Sequence, residues 1–136
     1  MEAQRILFVC RENKGRSQAA EAIANLLGVC KAESAGTEVD IPEWNVGAWP
    51  ETALTIDVMQ ATYGIDISQN TRRQATPEML GEYGRIIVMA EWPAVPDWLR
   101  KYPHTRWHIQ DLKEVSRSET IQIIDDIHQQ VAQLAT

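Results

Sequence analysis

The sequence predicts an α/β fold, a parallel sheet with helices on both faces. Three observations carry this. Two apolar runs, Arg5-Ile6-Leu7-Phe8-Val9-Cys10 and Arg85-Ile86-Ile87-Val88-Met89, suit strands buried on both faces. Between the strand-like runs lie segments whose apolar residues recur at three and four, the helix period. The two kinds of segment alternate along the whole chain, the order that builds parallel sheets. Ligands of such sheets bind beyond the carboxyl ends of the strands, where the strand order switches. Cys10 ends the first strand and so stands at such an end.

In chain order, Arg5 to Cys10 is the first strand and Arg11 to Gly15 a short polar turn. Ser17 to Leu27 is a helix, with Ala19, Ala20, Ile23, Leu26 and Leu27 on its apolar side and Gly28 as its stop. Val29 to Ser34 reads as the second strand, ended by Ala35-Gly36. Thr37 to Trp49 has no period and is expected as loop. Pro50 suits the first turn of a helix running to about Tyr63, with Gly64 at its end. Ile65-Asp66-Ile67 is a short extended piece. Thr76 and Pro77 start a short helix as cap and first residue. After the strand at Arg85–Met89, Pro93, Pro96 and Pro103 break up the chain. Arg106 to Ile109 reads as the last strand, and Ser118 as the cap of a final helix carrying Ile123, Ile127, Val131 and Leu134.

The bulk properties bound the function. The 136 residues suit one domain, 1–136. A formal net charge of -6 argues against general nucleic-acid binding, which needs a basic footprint. No apolar run approaches the roughly 20 residues of a membrane span, so no membrane partner is expected. The start, Met1-Glu2-Ala3-Gln4-Arg5, lacks the features of a secretory leader, and the reading is cytoplasmic. The two cysteines are then expected to be reduced.

The segment that carries chemistry is Cys10-Arg11-Glu12-Asn13-Lys14-Gly15-Arg16-Ser17. A strand ends at Cys10 and a helix begins near Arg16, so five residues must turn tightly. Their backbone N–H groups can converge on one centre as an anion nest. The helix start adds unpaired N–H groups and roughly half a positive charge. Arg16 offers a planar fork that matches two phosphate oxygens. The same positive field favours a thiolate at Cys10, and Ser17 can donate its hydroxyl to the sulfur. Cys10 thus reads as a nucleophile set in a phosphate-binding loop formed by Arg11, Glu12, Asn13, Lys14, Gly15, Arg16 and Ser17. The competing reading is a buried structural cysteine beside a charged turn. A nucleotide-binding P-loop does not fit, because Lys14-Gly15-Arg16-Ser17 has the wrong order and no glycine precedes Gly15.

On these residues the chain resembles the low-molecular-weight protein tyrosine phosphatase family and the related thioredoxin-coupled arsenate reductases. The match begins with Cys-x5-Arg-Ser directly after the first strand. It continues through Ser34-Ala35-Gly36-Thr37, Gly64-Ile65-Asp66-Ile67-Ser68 and Arg85-Ile86-Ile87-Val88-Met89. The resemblance implies a four-stranded parallel sheet of the phosphotyrosine protein phosphatase I type, covering nearly the whole chain. It implies that Asn13 braces the loop and that Ser34 hydrogen-bonds Asn13. It carries the general acid to Asp111, in Trp107-His108-Ile109-Gln110-Asp111-Leu112, where the family has Asp-Pro and this chain has Asp-Leu. The implied catalytic set is Cys10, Arg16 and Asp111. The implied reaction is hydrolysis of a phosphate monoester, on a phosphorylated protein or a small molecule, through a phosphocysteine. Inorganic phosphate or another oxyanion would occupy the loop. No cofactor or metal is implied.

Other features are weighed against plainer roles. Trp44 is read as an aromatic wall of the substrate cleft, against simple packing. A second aromatic wall is missing, since Lys113 and Glu114 follow the acid. Glu12 is unexpected beside a dianion unless Arg11 or Lys14 pairs with it. Cys30 is read as structural, which weighs against arsenate reduction, because those enzymes relay oxidation through two further cysteines after the fourth strand. His104 and His108 sit among prolines and are not expected to bind metal. The alternative from another class is a non-catalytic phosphate- or phosphopeptide-binding module, with the Leu112 and Glu12 departures as its support.

Overall fold

Strand β1, Arg5–Cys10, is buried from Ile6 onward and pairs on both edges. The computed structural model describes residues 4–135, so the Met1 to Ala3 start read above lies outside the described residues. Around β1 the chain builds α1 (Arg16–Leu27), β2 (Lys31–Gly36), α2 (Ala53–Tyr63), β3 (Arg85–Val88), α3 (Asp97–Arg100), β4 (Thr105–Arg106) and α4 (Arg117–Gln133). The sheet is parallel throughout, in the order β2-β1-β3-β4.

Side chains of β1 alternate between two cores, as the pleat requires. Ile6, Phe8 and Cys10 face a core with Ile23, Val58, Met59, Ile124 and Ile127 from α1, α2 and α4. Leu7 and Val9 face Leu80, Tyr83, Ile86, Val88 and Leu99 on the other side. The chain leaves β1 for β2 on one side and returns to β3 on the other. The switch in strand order therefore lies between the carboxyl ends of β1 and β3, beside Cys10 and Met89.

α2 begins at Ala53, after a 3-10 turn over Pro50–Thr52, and β3 ends at Val88 rather than Met89; four other boundaries differ from the sequence reading for a local reason. β2 starts at Lys31, not Val29, because residues 28–30 close the end of α1. Gly28 takes a left-handed φ of 70° and Val29 N–H donates to Ala24 O at 3.3 Å. The Asn25 side chain then pairs with Ala32 in both directions. Ala35 and Gly36 continue the strand rather than ending it, and Gly36 pairs with Cys10. The last helix is capped by Ser116, not Ser118. Ser116 Oγ accepts from Glu119 N–H at 3.2 Å while Glu119 Oε1 accepts from Ser116 N–H at 3.1 Å. This reciprocal box needs a Glu or Gln three residues on, which Ser116 has and Ser118 lacks. β4 is only Thr105–Arg106, because the chain then leaves the sheet toward the site. Ile65-Asp66-Ile67 joins no strand, although Ile67 is fully buried.

Gly36 marks where the second strand approaches the polar turn. A Cβ there would lie 2.7 Å from Arg11 O and 2.8 Å from Asn13 N. Both are backbone atoms, so the turn itself would have to move. Gly36→Ala is expected to cost about 1–3 kcal/mol, the range for overpacking. Thermal unfolding checks this, and an unchanged midpoint would contradict the close approach.

Candidate active site

Residues 11–15 follow β1 without regular structure, and α1 begins at Arg16. Cys10 is buried at 3% exposure on the floor of a cleft. That cleft is lined by Arg11, Glu12, Lys14, Gly15 and Arg16 on one side, and by Glu51, Thr52, Thr55, Asp111, Leu112 and Lys113 on the others.

A chain of hydrogen bonds backs the sulfur. Asn13 has a φ of 56°, a left-handed conformation that Asn tolerates better than most residues. It is fully buried and all its side-chain bonds are used. Its Nδ2 donates to Ser17 Oγ at 2.8 Å and to Ser34 Oγ at 3.0 Å. Its Oδ1 accepts from Arg73 N–H at 2.9 Å and Gln18 Nε2 at 3.3 Å. Ser17 Oγ lies 2.9 Å from Cys10 Sγ. Because Ser17 Oγ already accepts from Asn13, its own hydrogen is free for the sulfur. Ser34 in turn donates to Glu21 Oε1 at 2.9 Å. Burial raises the Glu21 carboxyl above its usual range, against the Ser34 hydrogen bond. Asn13, Ser17 and Ser34 thus stand behind the turn as its frame and are not among the cleft-lining residues.

Arg16 is 3% exposed and held from three sides. Its Nη1 donates to Met89 O at 2.8 Å, Ile109 O at 3.1 Å and Glu91 Oε1 at 2.8 Å. Nη2 lies 3.9 Å from Asp111 Oδ1. Burial lowers the guanidinium's pKa, but Cys10, Glu91 and Asp111 outweigh it and raise the balance above the usual value. Arg16 is therefore a fixed cation that ties β1's turn to the ends of β3 and β4. Burial raises the Glu91 carboxyl, and the Arg16 hydrogen bond and charge more than reverse that, leaving it below the usual range.

The carboxylate of Glu12 has its partner. Lys14 Nζ lies 3.3 Å from Glu12 Oε2, pairs closely with Glu51, and sits 3.8 Å from the Trp49 ring centre. The Lys14 hydrogen bond holds Glu51 below the usual carboxylate range. Glu51 also faces Lys113 at 3.6 Å, across the cleft from the turn.

Asp111 is half-exposed and faces Arg16. The residue after it, Leu112, is buried at 7% and packs on Gly15, whose Cβ would come 3.3 Å from Leu112 Cδ1. Packing thus anchors this loop where proline stands in the resemblance.

Trp44 requires a correction. It does not line the cleft; its ring packs at a tilt of 58° against Trp49 with ring centres 5.2 Å apart, and it is 46% exposed. The Val46–Ala48 and Pro50–Thr52 turns and the first turn of α2 bring Glu51, Thr52 and Thr55 to the wall in its place.

Several residues that matter here were missed. Arg72, 3% exposed, donates to Glu12 O at 3.2 and 3.0 Å, Asp40 O at 2.8 Å, Ile41 O at 3.1 Å and Trp44 O at 3.3 Å. It joins the polar turn to the 40–44 loop. Gln18 donates to Asn13 O and Thr71 O. Glu51 and Glu91 complete the ion pairs. No local pattern marks any of them.

Cys30 lies away from the site. It precedes Lys31, which pairs with Arg5, whereas Cys10 pairs with Gly36. Six strand residues at about 3.3 Å each place it about 20 Å away, far beyond disulfide reach. Burial raises its thiol pKa. Among the described residues no cluster of His, Cys, Asp or Glu could hold a metal ion, and no helix is long and apolar enough to cross a membrane.

The family model described as low molecular weight phosphotyrosine protein phosphatase matches residues 5–136. Among solved structures, a low molecular weight protein tyrosine phosphatase from T. tengcongensis is 21% identical. Each chain is covered to 97%, with a TM-score of 0.77. Vibrio vulnificus Wzb in complex with benzylphosphonate is 21% identical, over 98% of this chain and 97% of that one, with a TM-score of 0.76. An arsenate reductase in the phosphate binding state is 25% identical, over 97% and 96%, with a TM-score of 0.72. No curated protein sequence matches.

Proposed function

The chain belongs to the low molecular weight phosphotyrosine protein phosphatase family, a family of hydrolases, and from that premise we propose how it works. As one domain, it hydrolyses phosphate monoesters through a phosphocysteine, with Cys10 as nucleophile, Arg16 as phosphate clamp and Asp111 as general acid. The observation that carries this reading is the convergence of Cys10, Arg16 and Asp111 on one cleft, with the Ser17 hydroxyl 2.9 Å from the sulfur.

The steps follow from the groups present. Cys10 Sγ attacks phosphorus and the ester P–O bond breaks. Asp111 gives its proton to the leaving oxygen, so the alcohol departs neutral. The three remaining oxygens sit against the backbone N–H groups of residues 11–16 and the Arg16 fork. Asp111, now a carboxylate, takes a proton from water as that water attacks phosphorus. The P–S bond breaks, and orthophosphate and the Cys10 thiolate result. Positioned proton transfer contributes ~10²–10⁴ in rate, and preorganised donors for the phosphoryl charge are often the larger share. Protein phosphotyrosine and aryl phosphates are the substrates that the family description favours.

Arsenate reduction is the weaker alternative. The 89–93 segment contains no cysteine, and Cys30 lies at the other end of the sheet. A phosphate-binding module without turnover is the other. It is weakened by Leu112, which anchors the acid's loop by packing, and by Lys14, which neutralises Glu12.

Steady-state hydrolysis of para-nitrophenyl phosphate tests the proposal. Wild type is expected to turn over, with Asp111→Asn slowed at least about tenfold and the acid-dependent limb of its pH profile lost. Full activity in Asp111→Asn would remove Asp111 from the acid role. Phosphate binding without any turnover would favour the binding module.

A further inference from the structure

We infer that Thr55 is a specificity-determining residue whose hydroxyl binds a polar group on the leaving side of the substrate, so that among alkyl phosphates the site favours one that bears a hydroxyl over the analogue that lacks it. The inference rests on the phosphatase reading above and refines its substrate class.

Three observations support it. First, among the described residues no aromatic ring lines the cleft: the wall opposite the phosphate turn is Glu51, Thr52, Thr55, Leu112 and Lys113. Ring stacking is therefore not offered to a substrate there, although aromatic pairs usually add to binding. Second, the free space is small, ≈ 60 Å³.

Third, the wall holds one uncommitted polar side chain. Thr52 donates its hydroxyl to carbonyls already, with Val46 O and Trp49 O both at 2.8 Å. Glu51 faces Lys14 and Lys113. Thr55 lies in the first turn of α2 at 2% exposure, lines the cleft, and its hydroxyl makes no hydrogen bond to the protein. The hydroxyl opens onto the cleft, and it loses its water when a substrate covers it, which is costly unless the substrate supplies a partner. A ligand hydroxyl at this wall would satisfy it, whereas a methyl or ring edge would leave it unpaired. Sites built to hydrogen-bond a substrate hydroxyl discriminate against the analogue that lacks it.

Binding of three probes to the full-length Cys10→Ser protein, measured by calorimetry, tests this without turnover. Glycerol 2-phosphate and isopropyl phosphate share a branched alkyl frame and differ by two hydroxyls; orthophosphate reports the phosphate turn alone. Glycerol 2-phosphate is expected to bind at least about fivefold more tightly than isopropyl phosphate, the scale of one hydrogen bond. Thr55→Val should bring that ratio close to one, and Thr55→Ser should restore it. Equal affinities for the two esters in the Thr55 protein, or a ratio that survives in Thr55→Val, would overturn the inference. An equal loss for all three probes in Thr55→Val, orthophosphate included, would also overturn it, because it would assign Thr55 a role in shaping the cleft. If orthophosphate fails to bind even with Thr55 present, the phosphate-site reading itself falls, and the inference falls with it.

Discussion

Cys10→Ser is expected to lower kcat for para-nitrophenyl phosphate at least ~10³-fold while leaving orthophosphate binding within a few-fold of wild type. A serine hydroxyl is a weak nucleophile without an adjacent base. None stands at Cys10, where the nearest side-chain partner is the Ser17 hydroxyl. The groups that would hold phosphate are untouched by the change, because Arg16 is fixed by Met89, Ile109 and Glu91 rather than by the cysteine. Steady-state kinetics and calorimetry on the same preparation separate the two effects. Substantial residual turnover would mean that another group attacks phosphorus. Loss of phosphate binding together with turnover would mean that the sulfur's place in the turn, not its nucleophilicity, was being read.

Arg72→Ala is expected to be the most destabilising of the substitutions considered, by about 3 kcal/mol or more. One buried guanidinium serves four backbone carbonyls, those of Glu12, Asp40, Ile41 and Trp44. Each buried acceptor left unpaired costs about 1–3 kcal/mol, less whatever water recovers. At this chain length that corresponds to a fall in Tm on the order of 10 °C. Burial lowers the Arg72 pKa, with Glu12 and Asp40 opposing, so the residue is held as a cation by its neighbours rather than by solvent. Arg72→Lys keeps the charge but loses the fork that spans these carbonyls, and it should recover little. A melt within about 2 °C of wild type would show that solvent replaces the guanidinium. Orthophosphate affinity should fall as well, since the Glu12 carbonyl belongs to the phosphate turn.

Much of the site was legible because it is local. Cys10 and Arg16 are six residues apart, and a tight turn between a buried strand and a helix leaves little freedom for where they point. Ser17 and Asn13 belong to the same short peptide, and Ser34 sits in the next strand, paired directly with Phe8. Asp111 came through resemblance rather than through any local signal, and the cleft brings it near Arg16. The misreadings share another cause. Ser118 looked like a cap because serine precedes an apolar-periodic run, but the competing Ser116 has Glu119 at the spacing that completes the box. Trp44 looked like a wall because the resemblance implies a cleft-walling aromatic in that irregular stretch. Its ring finds a better partner in Trp49, which also lies beneath Lys14.

What the sequence by itself determined is the alternation of buried strands and amphipathic helices, and the turn after β1 with its cysteine, arginine and serine. Those follow from side-chain period and from backbone geometry within a few residues. Only the tertiary structure decided that Arg72 holds the turn, that Glu91 shares Arg16, that Leu112 rests on Gly15, and that the wall is threonine and glutamate rather than tryptophan. These contacts join residues 28 to 97 positions apart in the chain. Which of many polar side chains reaches a given carbonyl is set by how the helices pack on the sheet, and period and spacing along the chain carry no record of that.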